Sequence, residues 1–393
     1  MSRIDNLVKE LCPNGVKYLE LYKVIKWNKR FSGVNKEWQP EIVSTKSNVS
    51  AQELKSLALD SGNIKLLSTG NFDGYTDSNV YVGDVDDLEV ITIPSGGTAN
   101  IKYYNGQFIN SGNIIGTSAD CDKYYLKYIY YCLMNKNKLV QSFFRGSSVQ
   151  HPDMKQIIQI KIPVPPMKIQ KEVVRILDKF GELEAELEAE LEARKSQYEF
   201  WRGKLLNEDY ETKYLPELST NLDNKRKPVT KSNRESGVYP YYGASGIVDY
   251  VSGYIFDDEL LLVSEDGANL KARSTPIAFS SSGKVWINNH AHVLKFNSMI
   301  TQKYVEHYLN MIDISEYITG AAQPKLNQEN LNKIRINIPS SIEEQEKIVI
   351  ALERFDRLIN DISVGLPAEI ELRRKQYEYY RDKLLSFEEY ANE

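Results

Sequence analysis

The 393-residue sequence is short of the residues that most often carry chemistry. It has four histidines and three cysteines. Cys12, Cys121 and Cys132 are too few and too scattered for a disulfide framework, and they fit a reducing compartment. No GxxxxGK[ST] phosphate loop occurs, so ATP hydrolysis by this chain is not expected. No glycine-rich dinucleotide fingerprint follows a strand, and the Asn-Pro-Pro-aromatic tetrapeptide of amino-methyltransferases is missing. Pro152-Asp153 followed by Lys155 lacks the spaced acid pair of a nuclease. His290 and His292 in WINNHAHVL lie two apart, on one face if the segment is a strand. A metal would need further ligands, and the cysteines offer no CxxC, so no metal site is expected and a polar loop or strand edge is the reading. No run of 18 apolar residues occurs, so no membrane span is expected. The opening stretch MSRIDNLVKELCPNG has no apolar core, so no secretory signal is expected.

Excess charge is also scarce. The net charge is −5, distributed as +3 over residues 1–165, −1 over 166–206, −2 over 207–336 and −5 over 337–393. Neither large block is a basic glove. If these blocks bind DNA, they do so by local patches or with help from a partner.

What the chain does have is a long internal repeat. RKSQYEFWRGKLL (194–206) returns as RRKQYEYYRDKLL (373–385), identical at eight of thirteen positions. Upstream, IPVPPMKIQKEVVRILDKF (162–180) matches IPSSIEEQEKIVIALERF (338–355), pairing Gln170 with Gln345 and Phe180 with Phe355. A period this long marks a duplicated domain rather than a solenoid.

The sequence therefore divides into a lobe over 1–161, a central long helix over 162–206, a second lobe over 207–337 and a C-terminal long helix over 338–393. Apolar residues in both helix segments recur at spacings of three and four, a narrow seam. About 40 residues at about 1.5 Å each span roughly 60 Å. Two such seams in one chain predict an antiparallel coiled coil, with Gly365-Leu366-Pro367 kinking or briefly breaking the second helix. Phe180, Tyr198, Trp201, Phe355, Tyr377 and Tyr380 lie on the seams and are assigned to the helix pair or a docking surface. The lobes alternate short strand-like runs (88–93, 260–263, 293–296) with Gly, Ser and Asn loops, followed by helical patterns at 122–135 and 302–311. The fold class is α+β: two globular lobes joined by two long antiparallel helices, with a pseudo-two-fold internal repeat.

The loops carry the side chains that read base edges and phosphates. In the first lobe these are Asn71, Lys102, Tyr103, Arg145, Gln150 and His151. In the second they are Tyr241, Tyr242 and Ser245 of YPYYGASGI, Lys271, Arg273, and Gln323, Lys325 and Asn327 of GAAQPKLN. NKRK (224–227) adds a basic loop. The competing reading is ordinary turn chemistry with no ligand.

Taken together, the duplicated helix ends, the tandem Glu-Leu-Glu-Ala run over 182–193 and the series YPYYGASGI, EDGA, WINNHAHVL and GAAQPKLN resemble the specificity subunit of a type I restriction–modification system. The resemblance covers essentially the whole chain. The first lobe departs from that series, with STGNF, PSGG and INSGN in its place, which leaves the target sequence open. The resemblance implies a non-catalytic, cytoplasmic subunit with no cofactor of its own. Each lobe would read one half of a split target on double-stranded DNA, and the helices would set the spacer. Two methyltransferase subunits carrying S-adenosylmethionine would dock on the chain, and two ATP-driven motor-nuclease subunits would join them. A stand-alone enzyme, or a coiled-coil scaffold joining two protein-binding lobes without DNA readout, are the alternatives.

Overall fold

Residues 3–320 and 323–390 are described by the computed structural model. Among them, five helices reach ten residues or more: α1 (Leu126–Asn135), α2 (Met167–Leu206), α3 (Met299–Met311), α4 (Ile342–Asn360) and α5 (Leu366–Leu384). The chain divides into two compact units, Met1–Ala185 with Glu371–Glu393, and Glu186–Ile370. Each unit thus contains one lobe, the start of one long helical segment and the end of the other.

The C-terminal segment is two helices, broken just before Leu366, where Gly365-Leu366-Pro367 was expected to kink or interrupt it. Gly365 is the reason. Its N–H reaches the Asp361 carbonyl at 2.9 Å, and a Cβ there would lie 2.6 Å from the carbonyl oxygens of Arg357 and Asp361. Pro367, which lacks an N–H, then sits in the first turn of α5, where no donor is needed.

The first unit holds a six-stranded sheet. Its strands are β1 (Ile25–Trp27), β2 (Ile64–Leu67), β3 (Asp73–Thr76), β4 (Asp86–Pro94), β5 (Lys102–Asn110) and β6 (Asn113–Ser118). Their order is β1-β6-β4-β5-β2-β3, antiparallel except for β2 beside β5.

The second unit has β7 (Ser219–Asn221), β8 (Ser236–Gly243), β9 (Gly246–Val251), β10 (Phe256–Asp257), β11 (Leu260–Ser264), β12 (Ala278–Ser281), β13 (Lys284–Ile287) and β14 (Ala291–Phe296). Two sheets result, β7-β14-β11-β12 and β9-β8-β13-β10. β12 and β13 are consecutive, and β13 runs parallel to β8 as β5 does to β2. Taking β12 and β13 as one interrupted strand, the first unit's strand order is repeated, with β10 added at an edge.

Both units tie their helices down in the same way. Tyr128 of α1 donates to the Pro163 carbonyl at 3.2 Å, and Tyr304 of α3 donates to the Asn337 carbonyl at 2.9 Å. Gln170, buried near the start of α2, accepts from Tyr125 N and donates to the Pro165 carbonyl. Gln345 of α4, also buried, accepts from Thr301 Oγ1 and donates to the Pro339 carbonyl. A buried amide with both ends bonded avoids the desolvation penalty of an orphan polar group. The two glutamines that align in the repeat are therefore fasteners between lobe and helix.

In the first unit Phe180 of α2 stacks on Tyr380 of α5, with centroids 5.4 Å apart and 24° between planes, and meets Tyr377 at 6.4 Å. In the second, Tyr198 of α2 meets Phe355 of α4 at 6.3 Å.

Candidate nucleic-acid interface

The loops after the central strands converge at one junction in each unit. In the second unit, Glu265 N donates to His290 O (2.9 Å), Gly267 N to Pro324 O (3.1 Å) and Leu326 N to Glu265 O (2.8 Å). Lys325 Nζ lies 3.2 Å from the Glu265 carboxylate. Ser264 Oγ donates to the Ala244 carbonyl, drawing in the β8–β9 hairpin.

A buried ionic network underlies this junction. His292, 1% exposed, places Nδ1 2.6 Å from Asp223 Oδ2 and Nε2 2.7 Å from the Leu326 carbonyl. Arg226 donates to Glu265 (2.6 Å) and to the Ala291 carbonyl (2.8 Å), and stands 3.4 Å from Asp223. Burial pushes the Asp223 and Glu265 carboxyls up, but it is outweighed at Asp223 by the His292 bond and charge, the Val293 N–H and the Arg226 charge together, and at Glu265 by the Arg226 and Lys325 bonds with the His292 and Arg226 charges. Both carboxyls end below their ordinary values and stay ionised. Ligand-type atoms of Asp223, Glu265 and His292 lie within 4.8 Å of one another. Arg226 supplies a cation between the two carboxylates, and both ring nitrogens of His292 are engaged, so these side chains form an ion-pair network.

The first unit builds the same junction with different side chains. Ser95 N donates to Gly112 O at 3.0 Å, and Gly97 N to Gln150 O at 2.8 Å. These match the bonds of Glu265 and Gly267, so Ser95, Gly97, Gly112 and Gln150 correspond to Glu265, Gly267, His290 and Pro324. Gly97 and Gly267 have φ of 104° and 110°, the left-handed region where only glycine is unstrained. His151 pairs with Arg145 across a short hairpin, and its Nδ1 lies 2.6 Å from the Ser95 carbonyl. Asn100 Nδ2 reaches the Gly70 carbonyl at 2.7 Å, bringing the 68–72 loop to the same place.

Of the residues expected to touch DNA, Asn71, Arg145, Gln150, His151, Ser245, Lys271, Gln323 and Lys325 are exposed on or beside these loops. Ala321 and Ala322 of the GAAQPKLN motif lie outside the described residues. Six others are corrected by the structure. Tyr241 is 1% exposed; it stacks on Trp286 and shares its hydroxyl with the Val229 backbone. Tyr242 is half-buried against Phe279. Tyr103 donates to Glu89 at 2.8 Å and packs on Tyr130. Lys102 is half-buried, its Nζ on Ser68 Oγ and the Phe72 carbonyl, and burial lowers its pKa. Arg273, itself left-handed at φ 51°, caps the end of α3 through the carbonyls of Leu309 and Ile312. Asn327 caps a short helix by accepting from Asn330 N. These side chains are engaged by partners within the protein and help to build the loops.

Sequence reasoning missed the roles of Asp223, Glu265 and Asp266, and read Arg226 only as part of the basic NKRK loop. For His290 and His292 it expected a polar loop or strand edge, with one shared face only if the whole segment were strand. His292 lies inside β14, and His290 lies in the loop before it, half exposed. The WINNHAHVL and EDGA motifs were the available signal.

The helix ends show a second matched feature. Phe200 and Trp201 meet edge-on at 5.4 Å and 79°; Tyr379 and Tyr380 do so at 5.3 Å and 76°. Phe200 and Tyr379 are 64% and 62% exposed. Trp201 packs on this neighbour and under Lys204, so its ring contacts are local.

A family model described as the type I restriction modification DNA specificity domain matches residues 41–193 and again residues 207–372. This chain belongs to that family. The two matches coincide with the two junctions, and the resemblance read from the motifs is borne out. The EcoR124I/EcoR124II specificity subunit of Escherichia coli is 33% identical over 91% of this chain and 96% of its own length. A putative type I restriction enzyme specificity subunit of Haemophilus influenzae is 38% identical, over 50% of this chain and 51% of its own. The crystal structure of the type I system S subunit from M. genitalium superposes with a TM-score of 0.60, covering 94% of this chain and 96% of that one, at 14% identity. That likeness speaks for the fold, two lobes of mixed helix and strand with long helices. No helix among the described residues is long and apolar enough to cross a membrane.

Proposed function

We propose that this chain is the non-catalytic DNA-specificity subunit of a type I restriction–modification complex. Each loop junction reads one half of a bipartite target, and α2 pairs antiparallel with α4 and α5 as a coiled coil that sets the spacer. The observation that carries this reading is the doubled junction: two copies of one loop framework, held by matched backbone bonds and differing in their exposed side chains. A framework kept constant while its tip residues vary is what reading two different half-sites requires.

The aromatic pairs Phe200–Trp201 and Tyr379–Tyr380, with the Phe200 and Tyr379 rings exposed, suit docking of two copies of one methyltransferase, because a repeated chain offers the same patch twice. S-adenosylmethionine and ATP belong to those partners and to the motor-nuclease subunits, which act in the cytoplasm. The near-neutral lobes fit this division, since partners closing around DNA supply much of the phosphate contact. The test is methylome sequencing of cells expressing the chain with its methyltransferase. A bipartite methylated motif is expected; DNA cutting or methylation by the isolated chain would overturn the reading.

A further inference from the structure

At both junctions an exposed imidazole has one nitrogen fixed and the other unengaged. His290 Nδ1 lies 2.8 and 3.0 Å from the two Asp266 carboxylate oxygens, and the backbone N–H of His290 donates to Asn288 Oδ1 at 2.8 Å. In the first unit His151 Nδ1 lies 2.6 Å from the Ser95 carbonyl. A carboxylate and a carbonyl can only accept, so in each ring Nδ1 carries the hydrogen. Nε2 has no partner among the described residues, and both side chains are exposed.

The two rings arrive from different loops. His290 occupies the position of Gly112, and His151 that of Lys325. Asp266 corresponds to Gly96, where a Cβ would lie 3.4 Å from the His151 ring. Each unit therefore keeps one imidazole at the junction and anchors it to the loop after the central strand, Ser95–Gly97 or Glu265–Gly267, by separate means. Neither contact is needed for burial, because both rings are solvent-accessible. An anchored Nδ1–H leaves Nε2 of the neutral ring as a hydrogen-bond acceptor of set direction.

Resting on the proposed DNA-reading function, we propose that His151 and His290 are specificity-determining residues, one for each half-site. Each presents Nε2 as acceptor to the exocyclic amino group of an adenine or cytosine in the major groove. Those amino groups are the base-edge donors available there.

The test uses the full chain assembled with its methyltransferase. Binding is selected from a randomised duplex library. His290→Asn keeps a group at the Nδ1 position and removes the one at Nε2; His290→Gln does the reverse. His290→Asn should relax one base position, by on the order of tenfold, in one half-site only. His151→Asn should do the same in the other half. The intact second half reports that each variant is folded, and partial rescue by Gln shows that the Nε2 position matters. Unchanged preference at every position, or equal weakening on all sequences as for a phosphate contact, overturns the inference. If the unmodified complex selects no bipartite motif, the parent reading fails instead, and the inference falls with it.

Discussion

Phe180 and Tyr380 lie 200 residues apart in the sequence and stack at 5.4 Å. Phe355, the repeat equivalent of Phe180, meets Tyr198 at 6.3 Å. In each unit the start of one helical segment is packed by the end of the other, so the aromatic-basic helix end occurs twice because each unit needs one.

Tyr198 is 6% exposed and Tyr380 is 41% exposed. Tyr198→Ala should therefore cost about 3 kcal/mol or more, as large aromatic truncations in cores do. Tyr380→Ala should cost about 1 kcal/mol, near the value of an aromatic pair. Chemical denaturation of the two variants checks the order; an equal or reversed cost contradicts the assignment.

Phe200→Ser and Tyr379→Ser remove exposed rings and should change the stability of the isolated chain by less than about 0.5 kcal/mol. Each should weaken the binding of one methyltransferase copy by about 2 kcal/mol, the scale of an aromatic hot spot. Native mass spectrometry should then show complexes carrying one copy in place of two.

Arg226→Ala leaves Asp223 and Glu265 facing each other in a buried site, and should destabilise the second unit by about 3–5 kcal/mol. The depressed Asp223 and Glu265 values predict the pH dependence. A carboxyl lowered on folding contributes stability above its unfolded pKa, and that contribution is lost as pH falls through the folded value. Melting of the second unit below about pH 4 should accordingly be steeper in the unmodified chain than in Arg226→Ala.

His307 gives a separate window. Burial, opposed by Asp356, lowers its pKa to about 4. A histidine that binds its proton more weakly when folded loses stability as pH falls from about 6.5 towards 4, by at most about 3 kcal/mol and less for a partly exposed ring. Tyr131, its equivalent, donates to Asp178 at 2.6 Å. His307→Tyr should flatten the melting curve between about pH 6 and 4.5; an unchanged slope would remove His307 as the cause.

The Glu-Leu-Glu-Ala run lies within the continuous α2. One four-residue unit adds about 6 Å of rise and about 40° of net rotation. That rotation nearly matches one base pair of about 34–36°. Deleting Glu190–Ala193 should keep both half-sites and shorten the spacer by one base pair, or two at most. Methylome sequencing reads the result, and an unchanged spacer with intact activity sinks the ruler.

The duplication, the helical seams and the principal strands were legible along the chain because they depend on local periodicity. Ile91, Leu261 and Val293 are buried in strands read at 88–93, 260–263 and 293–296. The break before α5 was signalled by Gly365 and Pro367, whose effects are local to the backbone. Side-chain roles were not legible in that way. Tyr241 and Ser245 sit in one motif, yet one is core and the other surface. Arg273 and Lys271 are two apart, and only one caps a helix. Whether a polar side chain faces a ligand or fastens a loop depends on partners far along the chain, as Asp223 with His292, 69 residues on, and Arg226 with Glu265, 39 residues on, show. Those partners meet only when the sheet closes. The two anchored imidazoles follow the same rule: their positions were plain in the sequence, but only the folded loops decided which nitrogen of each ring remained free.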